Sequence, residues 1–253
     1  MLALHLAAIT PPQLNLDAGP ALRLLLFRWV HFIAGITWVG LLYYFNLVNT
    51  PLIKTAQPAE KGFVVTQLMP RALFWFRWAS VLTVLAGVAY WSEIVVSDAQ
   101  NAGVKPGAAM GSFFGIWTLA FVLEMGILMS PADVLKKGPV LSVLMTILIL
   151  AAFYLYISLN QHGWESNRML AIGVGGGMGW FMMLNVWGLL WRMQKKVIRW
   201  TTINIANGTP IPPEAQKAAR LSFLVSRINF VLSFPLLLLM GVASHYPLFA
   251  NVK

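Results

Sequence analysis

Residues 27–40 read FRWVHFIAGITWVG, and this stretch decides the fold class of the chain. It places an arginine and a histidine inside an otherwise apolar segment of a membrane-spanning helix, where lipid does not tolerate them without a partner. His31, Gly35 and Trp38 follow one another at i, i+4 and i+7, so they share one helical face. A histidine one turn from a glycine offers a metal or haem ligand beside a gap where a flat macrocycle can approach the backbone. A small residue that packs against a neighbouring helix gives the same pattern, and both interpretations stay open.

Composition identifies a membrane protein. The chain has 253 residues, of which 58% are hydrophobic and 10% charged, against roughly 25% charged residues in soluble domains. It has no cysteine, which excludes disulfides, iron–sulfur clusters and thiolate ligation. Histidine is therefore the one strong nitrogen ligand available. The net charge of +10 is attributed to cytoplasmic loops rather than to nucleic-acid binding.

Six apolar stretches are long enough to cross a bilayer core of about 30 Å, which takes about 20 helical residues. We therefore predict an all-α, polytopic membrane bundle in which residues 1–253 form a single transmembrane domain. The predicted spans are approximately 23–47, 73–96, 111–130, 139–159, 169–191 and 222–246.

The distribution of lysine and arginine predicts the orientation of the bundle. Loops 48–72, 131–138 and 192–221 together carry eleven of the eighteen basic residues, whereas the opposite side carries four. The basic loops should face the cytoplasm of a bacterium. We therefore expect both termini on the periplasmic side of the inner membrane.

The predicted orientation groups the polar residues of the spans into two layers. In the outer layer, Arg28 and His31 of the first span lie on the same side of the membrane as His245 at the end of the last. A bis-histidine haem needs two imidazoles that face one iron, so His31 and His245 are candidate ligands. Met240 is another candidate ligand. His245 also fits an ordinary interfacial residue beside Tyr246.

The inner layer is more highly charged. Because an isolated buried charge costs several kcal/mol, we predict that Glu124 forms an ion pair with one of two arginines. The surplus positive charge would suit a small anion or a haem propionate, although a structural ion pair is the plainer interpretation. The residues of this predicted layer are Arg77, Glu124, Asn185, Arg227 and Asn229.

Five glycines crowd the start of the fifth span, between Gly173 and Gly179. No strand precedes them, so a nucleotide-binding loop is implausible. Close packing against a neighbouring helix or against a flat cofactor accounts for them.

With these residues in hand, the chain resembles the membrane domain of the bacterial membrane-bound urate oxidases, which often carry a fused cytochrome c domain. The resemblance covers nearly the whole chain. It rests on residues 28–40, on Trp75-Phe76-Arg77-Trp78, on Asn185-Val186 before the basic loop, on Asn207–Pro212 and on Ser244-His245-Tyr246-Pro247. The resemblance implies the membrane fold and topology more strongly than it implies urate oxidation.

Three positions depart from the pattern of that family. As aligned, the family has an acidic residue where this chain has Ala79, and histidines where it has Ala171 and Ile228. If those groups hold a second cofactor or act on urate, this chain has lost that activity while keeping an outer site. No cytochrome c domain lies within the sequence, so the resemblance implies a separate electron acceptor.

Three functions follow as hypotheses. The first is a haem-b oxidoreductase or electron-transfer subunit that passes electrons to a periplasmic c-type cytochrome. In it, His31 and His245 ligate the iron, Arg28 neutralises a propionate, and Gly35 and Trp38 shape the pocket. The second is a cofactor-free accessory or scaffold subunit of a larger membrane complex. The third is a small-anion carrier built on the inner layer, which the lack of inverted repeats disfavours.

Overall fold

Six long helices make up the fold, as a computed structural model that describes residues 19–249 shows. They are α1 (Ala21–Thr55), α2 (Pro58–Ala102), α3 (Gly107–Met129), α4 (Gly138–Ser158), α5 (Asn167–Asn207) and α6 (Glu214–Val242). Each is long and apolar enough to cross a membrane. No strand occurs between residues 19 and 249. The prediction of an all-α bundle with six spans is confirmed.

The helices extend well beyond the predicted spans at the basic end of the bundle. Segment 48–72, predicted as a connection, is helical except at residues 56 and 57, and α5 continues through the basic segment to Asn207. Hydropathy marks where a segment leaves the apolar core, but the helix itself ends where its backbone turns. For α2 and α5 that turn is at Gly103 and Gly208, which have positive φ angles of 69° and 68°.

Three of the helices contain π-helical stretches, at Tyr44–Asn49 in α1, Val64–Leu68 in α2 and Val186–Leu190 in α5. In the first, the Thr50 hydroxyl donates to the carbonyl of Phe45, five residues earlier, at 2.8 Å. A short 3-10 helix, Asp133–Lys136, lies between α3 and α4. The π-helical stretches of α1 and α5 lie where these helices pass from the apolar part of the bundle into its basic end.

Helix α5 is the centre of the bundle. In its most apolar 18-residue window 78% of residues are buried, against 11% in the corresponding window of α1. It packs against α2, α3 and α6, and the remaining helices enclose this group. Helix α1 packs chiefly on α2, and Arg23 forms an ion pair with Glu93 at 2.8 Å. The large exposed apolar side chains of α1, such as Trp29 and Ile36, are suited to contact with lipid.

The glycines of α5 admit large aromatic rings from α3 and α4. A Cβ atom at Gly173 would overlap the Tyr156 ring, and one at Gly177 would overlap the Trp117 indole. At Gly188 a Cβ would lie 2.7 Å from Cζ of Phe121. Tyr156 and Trp117 are fully buried as a result. These glycines let the helices approach closely, which is how helices associate in lipid.

The Gly177→Ala substitution tests this packing. The added methyl group needs the space of the Trp117 indole, and overpacking of this kind costs about 1–3 kcal/mol. We expect a lower thermal unfolding midpoint for the detergent-purified protein. Gly126→Ala in α3 is the matched control, because a Cβ there meets nothing within 4 Å. The control should keep or raise the midpoint, and an unchanged midpoint for Gly177→Ala would contradict the close contact.

Candidate functional site

A cavity of about 410 Å³ lies between α1, α2, α5 and α6, with α3 contributing Phe113. We call it the His31 cavity. Its volume falls within the roughly 300–1,000 Å³ of small-molecule and cofactor sites. Its lining is mostly apolar. The lining includes Arg28, His31, Gly35 and Trp38 of α1, Thr83, Gly87 and Tyr90 of α2, Gly175, Gly176 and Gly179 of α5, and Met240 of α6.

His31 has a fixed orientation on the cavity wall. Its Nδ1 lies 2.7 Å from the backbone carbonyl oxygen of Thr83. A carbonyl can only accept, so Nδ1 carries a proton and donates it. In the neutral imidazole this leaves a lone pair on Nε2, the arrangement found in histidines that ligate metals through Nε2.

Gly87 makes room for the imidazole. A Cβ atom there would lie 2.6 Å from Nδ1 and 2.7 Å from Cε1 of His31. The ring therefore rests directly on the backbone of α2, one turn beyond Thr83. Any side chain at residue 87 would push it away from the Thr83 carbonyl. Two α2 residues thus set both the tautomer and the position of His31.

The other three predicted residues of α1 also line the His31 cavity. Trp38 is buried, and its indole N–H has no hydrogen-bond partner in the part of the chain that the structure describes. An unpartnered buried donor on a cavity wall favours a ligand that carries an acceptor. The Arg28 guanidinium lies at the exposed start of the cavity, 5.7 Å from the ring centroid of Phe32. Gly35 faces Thr83, whose methyl group would lie 3.6 Å from a Cβ there.

Helices α5 and α6 supply a wall of glycines and a methionine. The terminal methyl of Met240 lies 3.1 Å from the position of a Cβ at Gly175 and 3.7 Å from one at Gly176. The glycine run of α5 therefore serves two purposes. Gly173 and Gly177 receive aromatic rings from α3 and α4, whereas Gly175 and Gly176 keep the cavity wall flat.

The second predicted iron ligand lies elsewhere. His245 follows the end of α6, is exposed, and is not among the residues that line the His31 cavity. The Asn167 amide secures this turn by donating to the carbonyls of Ala243 and Tyr246, at 3.3 and 3.1 Å. The cavity itself presents Met240 in addition to His31.

The inner polar residues form a hydrogen-bonded chain across three helices. The Asn185 side-chain amide of α5 donates to Oε1 of Glu124 in α3 at 3.2 Å and to Oδ1 of Asn229 in α6 at 3.0 Å. Asn229 in turn donates to the backbone carbonyl of Met182 at 3.0 Å. All three side chains are fully buried. This amide-centred chain ties α3 and α6 to the central helix.

The predicted ion pair of Glu124 is wrong for residues 19–249. Neither Arg77 nor Arg227 lies within 4 Å of its carboxylate, and Oε2 has no partner. Arg77 instead stacks on Trp191, with 4.0 Å from the guanidinium carbon to the ring centroid, and Arg227 lies over Phe223 at 5.4 Å. The depths predicted from the sequence placed Glu124 and the two arginines at one level in the membrane, but they could not show that each arginine faces aromatic rings. The charged layer that an anion carrier would need is therefore not assembled around Glu124.

The three positions that depart from the urate oxidase pattern lie outside the His31 cavity. Ala79 and Ala171 are buried in α2 and α5, and Ile228 is half-buried in α6 beside Asn229. None of them lines the cavity. The backbone of Ala79 contacts a residue of the cavity wall, because its carbonyl accepts a hydrogen bond from the Thr83 hydroxyl at 2.7 Å.

Sequence reasoning missed Thr83 and Gly87. Both lie in an apolar part of the second span, where neither residue type is unusual. One signal was available: Thr83 and Gly87 are spaced i, i+4, the same spacing as His31 and Gly35 on α1. Only the pairing of α1 with α2 shows that these two faces meet.

A protein-family model described as the urate oxidase N-terminal domain matches residues 57–253. No curated protein and no solved structure matches the chain. The matched region contains α2 to α6 whole, and it begins just after the end of α1 and its His31.

The Asn185→Leu substitution tests the buried chain of amides. It leaves the acceptors of Glu124 and Asn229 without a donor, and each buried unsatisfied group costs about 1–3 kcal/mol. We expect a clearly lower thermal unfolding midpoint, recovered in part by adding Glu124→Leu. Asn204→Leu is the control, because that amide bonds the Thr209 carbonyl at an exposed site. If both asparagine variants behave alike, Asn185 does not link the helices.

Proposed function

This chain belongs to the urate oxidase N-terminal family, and we propose that it is a membrane oxidoreductase or electron-transfer subunit that holds haem b in the His31 cavity. It is a multi-pass membrane protein with six helices suited to span the bilayer. The proposal places it in the inner membrane of a bacterium, with the His31 cavity toward the periplasm. A periplasmic c-type cytochrome would accept its electrons.

One observation carries the proposal. His31 lines a cofactor-sized cavity and donates from Nδ1 to the Thr83 carbonyl, which leaves Nε2 as the ligating atom. Haem iron is held in proteins by such a nitrogen, alone or with a second axial ligand. When bound, haem supplies one-electron transfer.

The remaining lining residues fit a flat, mainly apolar macrocycle. Gly175 and Gly176 present bare backbone, and the apolar lining keeps water away from the ring. Trp38 offers its unpartnered N–H to an acceptor. Arg28, at the exposed edge of the cavity, is suited to neutralise a propionate.

Met240 fits the second ligand position better than His245 does. Met240 lines the same cavity as His31, whereas His245 is exposed beyond the end of α6. A histidine–methionine pair is an established way to hold a haem that transfers electrons. We therefore propose Met240, rather than the exposed His245, as the second ligand beside His31.

An accessory role within a larger membrane complex is the second candidate. It is favoured by Ala79, Ala171 and Ile228, which put apolar side chains where the resemblance implies an acid and two histidines. Such a subunit would bind no haem and would co-purify with its complex. The His31 cavity would then be filled by lipid or by a partner helix.

A haem assay separates these candidates. We expect the detergent-purified protein, produced in a haem-replete host, to carry about one haem b per chain by pyridine haemochrome. His31→Ala should lose most of this haem, because the ligating nitrogen is gone. His245→Ala and His162→Ala are controls and should keep it, because both histidines are exposed and neither lines the His31 cavity. A folded wild-type protein without haem would overturn the oxidoreductase proposal.

The Gly87→Ala substitution tests the support behind His31. The added Cβ would displace the imidazole from the Thr83 carbonyl, so we expect lower haem occupancy or a shifted absorption maximum and reduction potential. Gly241→Ala is the control, because a Cβ there meets nothing within 4 Å. Identical spectra for Gly87→Ala and wild type would mean that the ring does not depend on α2.

A further inference from the structure

A second cavity, of about 430 Å³, lies in the same four-helix seam as the His31 cavity. We call it the Arg220 cavity. It is lined by residues 45–54 of α1, 69–76 of α2, 190–194 of α5 and 219–226 of α6, whereas the His31 cavity uses residues 28–40, 83–91, 172–182 and 236–244 of the same helices. The two cavities therefore lie toward opposite ends of the bundle.

The wall of the Arg220 cavity is largely apolar. Phe45, Met69, Leu73 and Phe76 are buried core residues whose side chains line it from α1 and α2. Leu190 lines it from α5. A small hydrated ion alone would leave this surface without a partner, so the wall favours a ligand with an apolar body.

The charged residues of this cavity are all basic. Lys54 and Arg220 line it and are exposed, and no aspartate or glutamate is among its described lining residues. Neither cation takes part in an ion pair within residues 19–249. Two unneutralised cations at one cavity attract an anion, and arginine is suited to bind anionic oxygens in a bidentate manner.

Two buried polar side chains also line the Arg220 cavity, and each has an atom that lacks a hydrogen-bond partner among residues 19–249. Asn49 is 8% exposed and Ser222 is 2% exposed, and within residues 19–249 the Asn49 Oδ1 and the Ser222 hydroxyl have no hydrogen-bond partner. The Asn49 amide nitrogen finds only the sulfur of Met69, at 3.6 Å. Both residues line the Arg220 cavity. Buried polar atoms rarely go unpaired, and an anionic oxygen of a ligand would accept from the Ser222 hydroxyl and from the Asn49 amide nitrogen.

We propose that the Arg220 cavity binds an amphiphilic anion, with its anionic oxygens at Lys54 and Arg220 and its apolar body against Phe45 and Phe76. The Ser222 hydroxyl and the side-chain amide nitrogen of Asn49 donate to the anionic oxygens of the ligand. An anionic phospholipid from the bilayer and an aromatic carboxylate from the aqueous phase share this chemistry. The proposal does not depend on haem, since it uses no residue of the His31 cavity.

Two arms test the proposal and distinguish the sources. In the first, native mass spectrometry measures phosphatidylglycerol retained by the detergent-purified protein. In the second, isothermal titration measures 2-naphthoate binding to the protein in phosphatidylcholine nanodiscs. We expect binding in one of the two arms. The double variant Lys54→Gln/Arg220→Gln should weaken this binding about tenfold or more, because hydrogen bonds to charged groups are lost. Ser222→Ala should weaken it by a smaller factor.

Lys217→Gln is the matched control, since Lys217 is an exposed cation on the same helix, one turn before the cavity. It should leave binding unchanged in both arms, and circular dichroism should show that all variants keep their helices. Binding only in the first arm identifies a lipid, and binding only in the second identifies a soluble anion. No binding in either arm, or an equal loss with Lys217→Gln, would overturn the proposal.

Discussion

The close approach of α3, α4 and α6 to the glycine-rich backbone of α5 is the contact on which the rest of the structure depends. In lipid, the burial of apolar surface does little to drive helix association, so close packing of complementary shapes and hydrogen bonds must hold the helices together. Gly173 and Gly177 supply the shape, because Tyr156 and Trp117 occupy the space that side chains there would take. Asn185 supplies the hydrogen bonds, since its amide reaches both Glu124 and Asn229. Helix α2 packs on the same central helix, and α1 is held chiefly through α2.

The His31 cavity also depends on the glycines of α5. Gly175 and Gly176 carry no side chains, so they leave space between α5 and the facing residues of α1, α2 and α6. The two interpretations of the glycine run are therefore not exclusive: one set of positions packs aromatic rings, and the alternate set lines a cavity. His31 reaches this space because Gly87 lets its imidazole lie against α2, where Thr83 fixes its orientation.

Hydropathy and helical periodicity were sufficient to predict the number of helices and the shared face of His31, Gly35 and Trp38. These features depend on local sequence and on the thickness of a bilayer. The contacts of Glu124 could not be predicted the same way. The position of a residue along a helix shows its depth in the membrane, but not the direction in which its side chain points around the helix axis. Arg77 and Glu124 were predicted at one level, but they contact different partners, Trp191 and Asn185 respectively. The roles of Thr83 and Gly87 could not be predicted for a related reason, because they depend on how α1 pairs with α2.

The two cavities of the seam differ in charge, and this difference follows from where the basic residues lie. The His31 cavity has one lining cation, Arg28, and a histidine that can be neutral. The Arg220 cavity has two lining cations, and Arg227 lies one residue beyond its lining. Because Glu124 pairs with an amide, it neutralises none of these arginines. The buried chain from Glu124 to Asn229 lies between the two cavities along α5 and α6, and it contains no basic residue. A ligand that needs an unprotonated nitrogen and an apolar wall is therefore favoured at one end, and a ligand that needs cations is favoured at the other.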